Sequence, residues 1–117
     1  MPPRITTEAG RAALGAVAEG TAGRPETATA VRYLLQLLAE KAPGATVEVR
    51  VPPFGATQII EGPRHTRGTP PNVVEMDAAT FIDLATGVRG WSDAETSGAL
   101  RASGVRADFS HPLPLRP

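Results

Sequence analysis

The chain contains no cysteine in 117 residues. That single absence excludes disulfides, thiolate metal sites and thiol nucleophiles. It also lacks net charge: twelve basic and twelve acidic residues cancel, so no overall field draws in nucleic acid or an anionic membrane. No apolar run approaches the eighteen or so residues of a transmembrane helix. The opening stretch, "MPPRITTEAGR", carries no basic-then-apolar leader pattern, and the expectation is a cytoplasmic protein without stable membrane insertion. Histidine is nearly missing as well, with His65 and His111 the only two. At this length one ordinary domain is expected over 1–117, with a helical part at 1–44 and a sheet-containing part at 45–117.

What is present is regular. Residues 7 to 19 are rich in alanine, with Thr7 placed to cap a helix, although Gly10 and Gly15 weaken it. From Pro25 to Ala42 the pattern is stronger. Ala28, Val31, Leu35, Leu38 and Ala42 recur at three and four residues, while Arg32, Gln36 and Glu40 line the opposite side. "TVEVRV", 46–51, alternates strictly, "PPFG" turns the chain and "ATQIIE" runs back as a second strand. "NVVEM" gives a third. Asp77 caps a helix through Thr86 that stops at Gly87. Ser92 and Glu95 read as a capping box opening a further short helix. "ALRAS" alternates again, with Leu100 and Ala102 facing one way, and "VRADF" reads as a last helical turn. The order of elements predicts an α+β fold: an antiparallel sheet with helices on one face.

Candidate chemistry is sparse. Neither histidine has Cys, His or Asp at metal-ligand spacing, and no metal or cofactor is expected. His65 as a catalytic base needs an orienting carboxylate, which Glu61 or Glu75 would have to supply across a hairpin. None of the serines sits in a nucleophile elbow, and Ser92 is accounted for as a cap. Trp91 reads as packing on its own helix before it reads as a stacking platform. The stretch "GPRHTRGTPPN", 62–72, is the one polar concentration. Arg64, His65 and Arg67 there are candidates for holding an anion or an acidic head group. The competing reading is a stiff turn whose arginines pair with Glu61 or Glu75.

The run from "VEVRVPPFGATQIIEG" through "HTRGTPPNVVEM" resembles small bacterial proteins of the sterol carrier protein 2 superfamily. Its tail carries most of that likeness: "DAATFIDLATG", a short helix at Trp91, "GALRASG" and "RADFS". The resemblance covers residues 46–115. It implies a roughly five-stranded, largely antiparallel sheet covered on one face by helices, with a tunnel between them that holds fatty acyl chains, acyl-CoA or sterols. Mapped here, the tunnel wall would be Val47, Val49, Val51, Phe81, Leu84, Leu100 and Ala102, with Leu35 and Leu38 above. The same residues would build any α+β core. The implied function is non-catalytic binding or carriage of a hydrophobic small molecule, without nucleic acid. The alternatives are a ligand-free accessory domain with a protein partner and, last, a small enzyme using His65.

Overall fold

The computed structural model describes residues 3–62 and 72–117. Two helices come first, α1 (Thr7–Glu19) and α2 (Arg24–Lys41), followed by β1 (Val47–Val51), β2 (Gly55–Ile59) and β3 (Asn72–Met76). Helices α3 (Ala78–Thr86) and α4 (Trp91–Thr96) then lead to β4 (Leu100–Ser103). Each boundary has a local cause. Thr6, one residue earlier than expected, accepts the Ala9 N–H at 3.1 Å and starts α1. The Glu26 side chain reaches back to the Gly23 N–H at 2.7 Å and starts α2. Asp77 accepts the Thr80 N–H at 2.8 Å, and Gly87 closes α3 in the left-handed conformation.

Helix α2 organises the core. It buries Ala28, Ala30, Val31, Tyr33, Leu34, Leu35 and Leu38, a stripe wide enough to pack on both α1 and the sheet. Gly10 of α1 is required by that packing. A Cβ there would lie 2.3 Å from the Tyr33 ring, so the backbone of α1 rests directly on the aromatic face. On the sheet side, Val47, Val49 and Val51 of β1 are fully buried against Leu34, Leu38, Phe81, Leu84 and Phe109 in one cluster. Burying each such side chain stabilises the fold by about 1.5–3 kcal/mol.

The sheet corrects two expectations. Among the described residues it has four strands, not five, in the order β2-β1-β3-β4. It is also mixed, because β1 and β3 are parallel while the flanking pairs are antiparallel. The reason is geometric. Antiparallel β2 returns the chain to the level at which β1 begins, so a strand starting there on the far edge of β1 must run in the direction of β1. The exposed face is tied by charge: Arg101 of β4 donates to Glu75 of β3 at 2.6 Å, and Arg50 donates to Glu48 within β1.

Three smaller readings are also corrected. Residues 105–109 form no helical turn; instead Ala107 and Phe109 alternate into the core from an irregular segment. Ala102 shares the inner face with Leu100 but is exposed, since β4 is an edge strand. Ser92 is not a cap. The helix begins one residue sooner, with Gly90 at the N-cap, because Trp91 turns in to meet Phe109 edge-on at 4.8 Å. Asn72 ties these pieces together. Its buried side chain donates to Thr46 O at 2.9 Å and accepts the Arg106 N–H at 2.8 Å, linking the approach to β1 with the segment after β4.

Strand β2 ends in a bulge. Thr46 N–H is shared between Ile59 O and Ile60 O, at 3.1 and 3.0 Å, while Ile60 N–H donates to Ala42 O at 2.7 Å. Ile60 pays for that pairing with a φ of 69°, a left-handed conformation costly for a β-branched residue.

Two measurements check these assignments. Asp77→Ala should lower stability by about 1 kcal/mol while Ser92→Ala should stay within about 0.5 kcal/mol of wild type, read by denaturant unfolding. The Thr80 N–H holds the Asp77 carboxyl below its ordinary value of 3.8. A carboxylate depressed in the folded state contributes stability that is fully present above that value and is lost as pH falls below it, through the depressed folded-state value. Asp77→Asn keeps an acceptor for Thr80 and should remove this acid-sensitive component. At the bulge, Ile60→Ala and Ile60→Gly both lose the packing, but only glycine relieves the backbone. The glycine variant should be the more stable of the two by about 1 kcal/mol, the reverse of their ordinary order in a strand.

Candidate functional site

Of the nine residues mapped to a tunnel wall, eight are buried in one core cluster, Leu35, Leu38, Val47, Val49, Val51, Phe81, Leu84 and Leu100, and Ala102 is exposed. The eight pack against one another and against Val31, Leu34 and Met76. Among the described residues, Leu35 is the one of the eight that also borders a cleft against α2. Arg64, His65 and Arg67 lie outside the described residues. Of the carboxylates expected to serve them, Glu75 is taken up by Arg101, and Glu61 borders a smaller cleft shared with Lys41 and His111.

The cleft at Leu35 has a volume of about 790 Å³ and lies on the outward side of α2. Three pieces of chain enclose it. Helix α2 supplies Arg32, Gln36 and Glu40, spaced four residues apart and therefore aligned along one ridge. The β1–β2 turn and the start of β2 supply Phe54 to Thr57, and the segment before α1 supplies Pro3, Arg4 and Ile5. Gly55 lets the turn close on the helix: a Cβ there would come 3.2 Å from Leu35 Cδ1. The Arg32 guanidinium fixes the same turn by donating to Phe54 O at 2.9 Å. Arg24, two turns earlier on α2, lies over the Phe54 ring at 5.4 Å.

The far wall is held from the same ridge. The Gln36 side chain pairs with the backbone of Ile5 in both directions, accepting its N–H at 2.8 Å and donating to its carbonyl at 2.9 Å. Arg4 forms a two-pronged pair with Glu40, at 2.7 and 2.8 Å. Those two hydrogen bonds hold the Glu40 carboxyl below its ordinary value and raise the guanidinium of Arg4. Arg32 makes no ion pair among the described residues. The cleft is therefore amphipathic, with Ile5, Leu35, Phe54 and Ala56 for apolar contact and a cationic Arg32 at its rim.

Sequence reasoning reached the ridge but not its use. Arg32, Gln36 and Glu40 were legible as the polar side of α2, which is the ordinary solvated face of an amphipathic helix. No local signal tells that two separate segments converge on it. Chemistry of other kinds is not assembled here. Among the described residues no three His, Asp or Glu side chains converge as metal ligands do, and no helix is long and apolar enough to cross a membrane.

The cleft thus lies against the main helix of an α+β domain with a four-stranded mixed sheet. The profile of a family described as bacterial SCP ortholog matches residues 23–115, from the start of α2 to the C-terminal tail, and the chain belongs to this family of sterol carrier protein-like sequences. No curated protein matches the sequence.

The clamp of α2 on the β1–β2 turn can be measured directly. Phe54→Ala should cost about 1–2 kcal/mol, the larger part from lost burial of a half-buried ring. A double-mutant cycle of Arg24→Ala with Phe54→Ala should return a coupling of about 0.5–1 kcal/mol for the cation over the ring. Zero coupling in unfolding experiments would show that the stacked arrangement contributes nothing.

Proposed function

We propose that this protein binds or carries a hydrophobic small molecule without transforming it, and that the ligand lies in the cleft between α2, the β1–β2 turn and residues Pro3 to Ile5. Family membership supplies the class, since a sterol carrier protein-like family suggests lipid binding at the family level. The observation that carries the assignment to this cleft is its make-up. Its volume of about 790 Å³ falls within the roughly 300–1,000 Å³ of small-molecule sites, and it combines an apolar lining with few polar groups. Leu35 joins it to the core, so a ligand there would rest on the outer surface of the residues that otherwise fill the interior. Fatty acyl chains and sterols are the expected ligand types, and carriage needs neither cofactor nor metal.

A ligand-free accessory role is the second reading. It is favoured by the burial of Val47, Val49, Val51, Phe81 and Leu84 against one another, which a protein does not need to leave open if its partner is another protein.

Two substitutions separate the cleft, the internal tunnel and the ligand-free domain. Ala56 is exposed and borders the cleft, so Ala56→Trp should fill it without entering the core. Binding of a fluorescent fatty acid should weaken on the order of tenfold, with the melting temperature little changed. Val49→Trp overpacks the interior instead and should cost about 1–3 kcal/mol. Loss of binding in a folded Val49→Trp protein, with Ala56→Trp unaffected, would place the ligand in an internal tunnel. Absence of binding to the wild-type protein, together with no co-purified lipid in native mass spectrometry, would leave the accessory role.

A further inference from the structure

The cleft has one wall that does not belong to the core. Pro3, Arg4 and Ile5 border it, yet Ile5 is not part of the hydrophobic cluster to which α1, α2 and the strands contribute. Among the described residues, the polar bonds from this segment to the body of the protein all end on two side chains of α2, Gln36 and Glu40. We propose that residues 3–6 form a strap, hinged at Thr6, that closes one side of the cleft and lets go of Gln36 and Glu40 when a ligand enters or leaves. The inference rests on the cleft being the ligand site.

Three features support a strap that moves while the rest stays. First, its pivot is fixed. Thr6 caps α1 through Ala9 N–H, and its carbonyl accepts Gly10 N–H at 2.9 Å, so α1 is complete without the strap. Gly10 and Ala13 keep α1 seated on α2, with the Gly10 backbone on the Tyr33 ring. Second, the fastening is of a kind that water and salt can replace. The Arg4 and Glu40 side chains are 56% and 47% exposed, and an ion pair that open is screened by salt. The Gln36 amide stands in for a neighbouring strand by bonding both backbone groups of Ile5, and a released peptide group finds the same partners in water. Third, Gln36 and Glu40 themselves border the cleft. A ligand lying along this ridge meets the groups that hold the strap, so its entry and its exit both require them to let go. The strap and the whole of α1 precede the residues matched to the family, 23–115.

The absence of cysteine makes a clean test available. In the 117-residue chain, Arg4→Cys with Glu40→Cys can be joined by a short bismaleimide with no other thiol to compete, which holds the strap shut. Glu40→Gln and Gln36→Ala each loosen it. Stopped-flow binding of a fluorescent fatty acid should show association and release slowed together, on the order of tenfold, in the linked protein. Both rates should rise together, by roughly threefold or more, in the loosened variants and in wild type at high salt. Hydrogen exchange at Ile5 N–H should lose its protection in Gln36→Ala while the amides of α2 keep theirs. If a lost ligand contact were the cause, release alone would quicken. Should Gln36→Ala fail to fold, the exposed Glu40→Gln and the linked protein carry the test. Unchanged rates in the linked protein, with the probe still bound, would show a fixed wall and overturn the strap. A probe that binds no form, wild type included, would overturn the ligand site first and the strap with it.

Discussion

A helix that buries seven of its eighteen residues has only one rotational setting. With Tyr33 against α1 and Val31, Leu34, Leu35 and Leu38 in the core, α2 cannot turn by even one residue without exposing a large side chain. Each such exposure would cost about 1.5–3 kcal/mol. The opposite ridge is therefore fixed as firmly as the core itself. Arg32, Gln36 and Glu40 stand in a row because the helix period requires it, and they stay in place because the buried side allows no alternative. Everything that borders the cleft is hung on that row: the turn at Phe54 from Arg32, the backbone of Ile5 from Gln36, and Arg4 from Glu40.

The sheet makes the other half of the frame by a similar economy of constraints. Strand β1 is central and parallel to β3, so its starting end must receive chain from three directions. Asn72 settles that crowding, because a buried amide left without partners would be costly and here both of its ends are used. The bulge at Ile60 lies at the same end, where Thr46 N–H is shared between two carbonyls. The strained φ there is tolerated because Ala42 and Thr46 both bond to this one residue, which over-determines its conformation.

How much of this was readable in the sequence follows from the range of each signal. Strand β1, strand β3 and the Asp77-capped helix were found at or within a residue of their limits, since alternation and capping act within a few positions. Gly90 takes the cap expected of Ser92 because Trp91 turns inward to Phe109, and Thr6 takes the one expected of Thr7 by accepting the Ala9 N–H. Trp91 meets Phe109 across eighteen positions, and no local pattern at Ser92 could foresee that contact. The parallel pairing of β1 with β3 was hidden for the same reason: alternating strands look alike whichever direction their neighbours run. Eight of the nine residues mapped to a tunnel wall fall in the core, because any α+β core would use the same positions, while Ala102 lies exposed on β4. The cleft escaped, because its walls are polar or isolated positions that carry meaning only once Pro3 to Ile5 and Phe54 to Thr57 come together on α2.

The proposed carrier role makes two demands that pull against each other, a stable fold and a site that opens. This chain separates them by chemistry. The core is closed by apolar burial, which is cooperative and does not yield locally. The cleft wall at residues 3–6 is closed by an amide pair and an exposed ion pair, interactions whose strength is small and whose partners water can replace. Leu35 lies on the boundary, part of the core on one side and of the cleft on the other. Opening at that boundary exposes little apolar surface, so the fold need not loosen for a ligand to pass. A site sunk among Val47, Val49 and Phe81 would have no such freedom, because every opening there would expose the residues that hold the sheet to α2.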